Sequence, residues 1–141
     1  MVKELLLDYS KNIEEYLESD VEEITVYHYF KPIDNLPPKL KKLFFWHSSD
    51  FNQEISFENT ICLEEIHYGM YFNNSIDNLP DSIKIIKFYE MSLFDKPIYK
   101  LPLNLQSITF GKYFNNHIFH FPESLKTIEV KGKCINYVCK T

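Results

Sequence analysis

Five histidines and three cysteines are the side chains of this 141-residue chain that most readily bind metal ions. His28 and His47 occupy equivalent places 19 residues apart, and His67 follows one repeat later. We expect His28 and His47 to lie close together, but a zinc site needs further ligands at suitable spacing. His117 and His120 have no cysteine or acidic partner at such a spacing. The sequence therefore predicts no metal site and no cofactor.

The cysteines and a pair of glutamates offer no catalytic arrangement either. Cys62, Cys134 and Cys139 are odd in number, which argues against a disulfide framework and is typical of buried thiols in a reducing compartment. A redox pair formed by Cys134 and Cys139 is the alternative. Neighbouring residues of a strand point to opposite faces, so Glu64 and Glu65 do not form an acid and base pair. With no Ser/His/Asp series, glycine-rich phosphate loop or H-E-x-x-H motif in the sequence, we predict that the protein is not an enzyme.

A hydrophobic pattern that returns every 19 to 23 residues must position whatever site the chain has. It reads L-P-x-x-L-x-x-L-x-F and then F-N-x-x-I, with its clearest copies starting at Leu36, Leu79 and Leu101. Each copy holds two apolar residues separated by one position, which is the pattern of a strand with one buried face. These pairs are Ile24/Val26, Leu43/Phe45, Ile66/Tyr68, Ile86/Phe88, Ile108/Phe110 and Ile128/Val130. A fixed period of this length predicts a repeat solenoid, leucine-rich-repeat-like, with about six coils and a parallel β-sheet over residues 24–130.

The asparagine of the F-N-x-x-I part has a predicted structural role. Asn52, Asn73 and Asn115 occupy this place, and Asp95 replaces them in one copy. Short amide and carboxylate side chains bond to backbone groups at turns, so we expect these residues to satisfy the backbone of neighbouring coils.

The two ends are predicted to close the solenoid as one structural domain. Residues 1–23 are read as an acidic helical cap, because apolar residues recur there at three- and four-residue steps. That stripe predicts an amphipathic α-helix over about residues 2 to 18 and consists of Leu6, Tyr9, Ile13, Tyr16 and Leu17. The helix would cover the first strand, and an acidic helix that binds a partner is the alternative. Residues 131–141 are read as a C-terminal cap, in which a turn at Gly132 leads into an antiparallel edge strand over residues 134–138.

The repeated unit resembles the FNIP repeat, a short relative of the leucine-rich repeat. The clearest match is carried by Leu101, Pro102, Phe110, Gly111, Phe114, Asn115 and Ile118. The copy between Ile55 and Ile76 departs, since Asn59-Thr60 stands in place of Leu-Pro. Such repeats are abundant in social amoebae and in giant viruses of amoebae, and the resemblance implies a right-handed solenoid and a protein-interaction role. Some members carry an F-box and recruit targets to ubiquitin ligases, but the roughly 23 residues before residue 24 are too few for that domain.

Charge and hydropathy narrow the range of partners. The net charge is −5, and it is concentrated in residues 1–23, where eight acidic residues face two lysines. No stripe of lysine or arginine suits a phosphate backbone, so we expect no nucleic acid partner. No apolar run approaches the roughly 20 residues that span a bilayer, and no secretory segment precedes the repeats, so we expect no membrane association. The expected location is cytoplasmic, in the host-cell cytoplasm if the source is a virus.

The outward positions of the strands supply the candidate site. They carry aromatic and histidine side chains in the first coils, namely Tyr27, Phe44, Trp46, His67 and Tyr89. Exposed aromatic clusters mark interfaces, and Trp and Tyr are preferred anchors there. We therefore predict a non-catalytic protein-protein interaction module that binds a host protein or a second copy of itself through the outer face of the sheet. The alternatives are a structural self-assembling protein, such as a homodimer, and a patch covered by the N-terminal helix.

Overall fold

Seven short parallel strands form the frame of the molecule, seen in a computed structural model that describes residues 3–133. They are β1 (Glu4–Leu7), β2 (Glu23–Val26), β3 (Lys42–Phe45), β4 (Glu65–Tyr68), β5 (Ile85–Phe88), β6 (Ser107–Phe110) and β7 (Thr127–Val130). Each strand pairs with the strands before and after it in the sequence, so each connection makes one turn of a β-solenoid of about six turns. We name each coil by the strand that opens it. The predicted solenoid and parallel sheet are confirmed.

The register of the sheet follows the repeated apolar pairs. The first member of each pair lies beside its counterpart in the next coil, as Ile24 does with Leu43 and Ile66 with Ile86. Alternate strand residues face the interior, and the first six strands bury both members of their pair. The period of two within strands and the period of about 20 between them thus place every pair in one core.

The predicted N-terminal α-helix is wrong. Across residues 3–18 the chain forms β1 and, further on, one 3-10 turn at Ile13–Tyr16. Leu5 and Leu7 are buried opposite Ile24 and Val26, at the same 19-residue step that separates Ile24 from Leu43. A helix would have had to bury Tyr9, which is 76% exposed. The segment forms a further strand because Leu5 and Leu7 alternate like the other apolar pairs and extend the buried core by one coil.

The C-terminal turn lies partly within the described residues. Gly132 has φ +72°, a left-handed conformation that glycine adopts without steric cost. It lies inside an isolated antiparallel bridge between Val130 and Lys133. The predicted edge strand over residues 134–138 lies outside the described residues.

Two columns of stacked rings fill the core, and we call them the ring stack. Their members are Phe45, Tyr68, Phe88 and Phe110 in one column and Phe51, Phe72, Phe94 and Phe114 in the other. Within the first column, successive ring centroids are 5.9, 5.0 and 5.5 Å apart. Within each coil the two rings are 3.9 to 4.8 Å apart. Stacked aromatic pairs add about 0.5–1.5 kcal/mol beyond their burial, so the ring stack holds the coils in register.

A ladder of short polar side chains joins the coils beside the second column. The Asn52 side chain accepts a hydrogen bond from the backbone N–H of Asn73, at 2.8 Å. Asn73 accepts in the same way from Asp95 at 3.0 Å, and Asp95 from Asn115 at 2.8 Å. The prediction that these residues satisfy the backbone of neighbouring coils is confirmed.

Long and short corners alternate after the strands. Phe51 lies six positions after Phe45, whereas Phe72 lies four positions after Tyr68. The long corner holds the buried Ser49, whose hydroxyl accepts a hydrogen bond from the backbone N–H of Phe51. The next two coils repeat this alternation. Each long corner therefore lies next to at least one short corner, which leaves room for its extra residues.

Candidate functional site

All five predicted site residues lie on the outer face of the sheet. Phe44 and His67 are neighbours in register on β3 and β4, between Thr25 and Lys87. Tyr27, Trp46 and Tyr89 each follow the last residue of a strand. Phe44, Trp46, His67 and Tyr89 line a shallow groove of about 460 Å³, which we call the aromatic groove. Tyr27 lies beside it.

The rings at the aromatic groove form one connected series of four and one separate pair. Tyr27 stacks on Trp46, with ring centroids 5.4 Å apart and an interplanar angle of 29°. Phe44 and His67 have centroids 4.5 Å apart. His47 connects the two sides, because its ring is 4.9 Å from Trp46 and 5.4 Å from Tyr89. From its sequence position His47 was considered only as a possible metal ligand, and its place between Trp46 and Tyr89 was not predicted.

One position of the outer row beside the groove lacks a side chain. Gly69 follows β4 at the place that Trp46 and Tyr89 occupy after β3 and β5. A hypothetical Cβ atom on Gly69 would lie 2.6 Å from the Trp46 carbonyl oxygen. Coils 3 and 4 therefore approach each other too closely here for any residue other than glycine. The glycine permits this approach, and the His47 ring lies between the two aromatic side chains.

The exposure of the rings suits an interface. Trp46 is 41% exposed and Tyr27 is 36% exposed, whereas Phe44, His67 and Tyr89 are half-buried against their neighbours. Side chains that hold one another in place lose little conformational freedom when a partner binds. Large amphipathic rings in such a setting are the usual anchors of binding energy.

Ion pairs between coils border the groove on the side where the strands begin. Lys42 lies 3.2 Å from the Glu23 carboxylate, Lys41 2.9 Å from Glu22, and Lys84 2.9 Å from Glu64. Hydrogen bonds to Glu23 and Glu22 raise the pKa of Lys42 and Lys41 respectively. Such exposed pairs contribute little to stability. They give the apolar rings a polar rim with both signs of charge, as interfaces commonly have.

His67 is the titratable group within the groove itself. Its Nε2 atom lies 2.6 Å from the Glu65 carboxylate, and Lys87 and Lys42 are nearby. Burial lowers the pKa of His67 more than the hydrogen bond to Glu65 raises it, and the two lysines lower it further. The imidazole is therefore neutral at neutral pH.

This pKa predicts a pH-dependent loss of stability. The ordinary pKa is 6.5 and the folded-state pKa is lower, so as the pH falls below 6.5 the unfolded chain takes up the proton first. The free energy of unfolding should fall until the pH is below the folded-state pKa. Chemical unfolding at about pH 7.5 and about pH 5 should give a larger loss for the parent than for His67→Gln. His117→Gln, a change at an exposed histidine, should behave like the parent, and equal losses in all three would contradict the prediction.

The other candidate residues do not come together. His28 Nδ1 lies 3.9 Å from a carboxylate oxygen of Asp50. Within residues 3–133, no three histidine, cysteine or acidic residues are grouped to hold a metal ion. Glu64 pairs with Lys84 while Glu65 contacts His67, so the two glutamates face different partners. The alternative redox pair of Cys134 and Cys139 lies outside the described residues.

Two further findings bear on the class of protein. In the part of the chain that the structure describes, no helix is both long and apolar enough to cross a membrane. The chain matches no family model, no curated protein and no solved structure. The fold and the site define a parallel β-solenoid with an aromatic groove on its sheet, and the function has to be argued from that geometry.

Proposed function

We propose that the protein is a non-catalytic interaction module that docks a partner protein in the aromatic groove. One observation carries the proposal: the rings from Tyr27 to Tyr89 form a connected cluster on an exposed sheet surface. Parallel sheets usually have both faces covered, so an uncovered face with several large rings calls for an occupant. The resemblance to FNIP repeats, with its expected origin in amoebae or their viruses and a cytoplasmic location, is compatible with this role.

The strands make the groove a rigid platform. Every strand from β2 to β6 is hydrogen-bonded on both sides, and the ring stack fills the space beneath them. A partner would therefore meet rings that are already in place, and the ordering cost of binding would fall mainly on the partner. The predicted cover by an N-terminal helix is not available, because β1 occupies that segment.

Self-association through the same groove is the second candidate. The rim carries both signs of charge, with Glu23 and Lys42 side by side on the sheet face. Such a rim can complement a copy of itself across a two-fold axis, which is how most homodimers assemble. The groove would then lie at the centre of the dimer interface.

The test is the double substitution of Trp46 and Tyr89 by alanine. We expect capture of partner proteins from the cytosol of the source organism to fall about tenfold or more, because both substitutions remove central anchors. Tyr99→Ala with Phe119→Ala is the matched control, since these two exposed rings stack at 4.8 Å on the opposite wall. Thermal unfolding checks that both variants fold.

Sedimentation over a range of concentrations separates the two candidates. A monomeric parent whose capture is lost only in the groove variant supports a heterologous partner. A parent that dimerises, and whose dimer the groove variant disrupts, supports self-association. A groove variant that captures the same proteins and sediments like the parent would show that the groove is not the interface.

A further inference from the structure

A second recess lies on the wall opposite the sheet, between coils 3 and 4. Parallel bridges join two pairs of neighbouring coils on this wall, at Ile33 with Ile55 and at Ile98 with Ile118. Within residues 3–133, Ile76 has no such bridge to Ile55 in the coil before it or to Ile98 in the coil after it. The Asn78 side chain donates to the Ile55 carbonyl instead, at 2.9 Å. A side chain spans a wider gap than a backbone bridge does, and a cleft of about 720 Å³ opens there.

The floor of this cleft holds an unpaired hydroxyl group. Tyr68 is 2% exposed, and its ring lies between Phe45 and Phe88 in the ring stack. The hydroxyl has no hydrogen-bond partner among the described residues, and burial alone raises the pKa of Tyr68. Every fully enclosed side-chain oxygen in residues 3–133 has a partner. Tyr68 lines both the aromatic groove and the cleft, but its side chain lies on the buried face of β4 and so points away from the groove. The hydroxyl therefore opens into the cleft.

The occurrence of tyrosine here is unusual for this core. The equivalent positions of β3, β5 and β6 carry Phe45, Phe88 and Phe110, which fill the same column without a polar atom. A buried hydroxyl without a partner is unfavourable, whereas one that meets a bound group is satisfied. Among these four positions, the hydroxyl group thus occurs in coil 4, next to the cleft.

Carboxylates surround the cleft and no cation lines it. Asp34, Glu54, Glu58 and Asp77 contribute four acidic groups, with no lysine or histidine among the lining residues. Asp77 already accepts from the backbone N–H groups of Tyr99 and Lys100. The other three make no ion pair within the described residues. They are not grouped closely enough to share one metal ion.

We propose that this cleft binds an extended alkylammonium ligand. Its ammonium groups would donate to the separated carboxylates, and one would donate to the Tyr68 hydroxyl oxygen. Its methylene segments would lie along the apolar part of the cleft, which includes Ile55 and Phe72. Several charges spaced along an apolar chain match several carboxylates spaced around an apolar floor. The source could be a free polyamine or the lysine side chains of a peptide.

Titration of the full chain with spermine tests the chemistry. Tyr68→Phe removes only the hydroxyl and leaves a residue that the same column uses elsewhere, so the variant should fold. We expect spermine affinity to fall about fivefold to tenfold in Tyr68→Phe, and at least as much in Glu54→Gln with Glu58→Gln. Glu14→Gln with Glu15→Gln changes the net charge equally at exposed positions of the 3-10 turn and should leave the affinity unchanged.

A tri-lysine peptide provides the second arm and separates the two sources. Tighter binding of spermine points to a free polyamine, and tighter binding of the peptide points to lysine side chains, provided that Tyr68→Phe weakens either one. The proposal is overturned if neither probe binds, if Mg²⁺ displaces spermine at equal concentration, or if the Glu14/Glu15 control loses as much affinity. The cleft and the aromatic groove share only Tyr68 among their lining residues, and the substitution Tyr68→Phe removes a hydroxyl on the buried face of β4, so neither outcome depends on the proposed protein partner.

Discussion

Alanine in place of Phe94 is expected to lower the free energy of unfolding by about 3–5 kcal/mol, as large-to-small substitutions of buried aromatic residues do. Phe94 is 2% exposed and lies at the middle of the ring stack. Its ring centroid is 4.3 Å from Phe88 and 6.0 to 6.4 Å from Phe114, Phe110 and Phe72. The cavity would therefore weaken contacts in three successive coils.

Urea unfolding followed by circular dichroism measures this loss. Leu93→Ala is the matched control, because Leu93 is the preceding residue and is 47% exposed. A surface change of this kind should cost less than about 1 kcal/mol. In a solenoid each coil is stabilised mainly by its neighbours, so a weakened centre should also broaden the transition. Equal midpoints for Phe94→Ala and Leu93→Ala would show that the ring stack does not hold the coils together.

The interior of the solenoid was predictable from the sequence because its rules are local. An apolar pair such as Ile86 and Phe88 identifies a strand and its buried face, and the repeat distance places it beside the next pair. The ladder residues could be predicted for the same reason, since asparagine recurs at one position of the repeated unit, as at Asn73. Both conclusions need only the repeated sequence pattern, without knowing which side chains contact one another in the fold.

The N-terminal strand was missed because its sequence fits two patterns. Leu5, Leu6 and Leu7 are consecutive, so they supply the buried alternation of a strand and also part of a helical stripe. The stripe that continues to Tyr16 favoured the helix. What decided the outcome was the packing of Leu5 and Leu7 beside Ile24 and Val26 of the next coil, a tertiary effect that no local window contains. The 19-residue step from Leu5 to Ile24 was nevertheless present in the sequence.

The candidate sites were only partly predictable. The sequence placed Trp46 and Tyr89 on the outer face, but it did not reveal that His47 bridges them. The cleft depends on a missing backbone bridge at Ile76, and the meaning of tyrosine at position 68 becomes clear only beside that gap. Contacts between side chains of different coils depend on corner length and spacing, which the repeat pattern does not specify.

Gly69→Ala is expected to destabilise the protein by about 1–3 kcal/mol, which is typical of overpacking, and to disturb the aromatic groove. The new Cβ atom would lie 2.6 Å from the Trp46 carbonyl oxygen and 3.3 Å from the Ser49 Cβ atom. The first of these is backbone, so the corner of coil 3 has to move. Trp46 is the only tryptophan in the chain, and its fluorescence reports that movement.

Gly111→Ala provides a control with the same kind of clash at a different place. Its Cβ atom would lie 2.7 Å from the Tyr89 carbonyl oxygen, two coils beyond the clash at Trp46. Both variants should lower the urea midpoint, because both force backbone apart between a long and a short corner. Only Gly69→Ala should shift the emission of the folded protein, since only that change displaces the carbonyl of Trp46 itself. Two variants as stable as the parent, or an equal spectral shift in both, would contradict the close approach of the coils on which the groove depends.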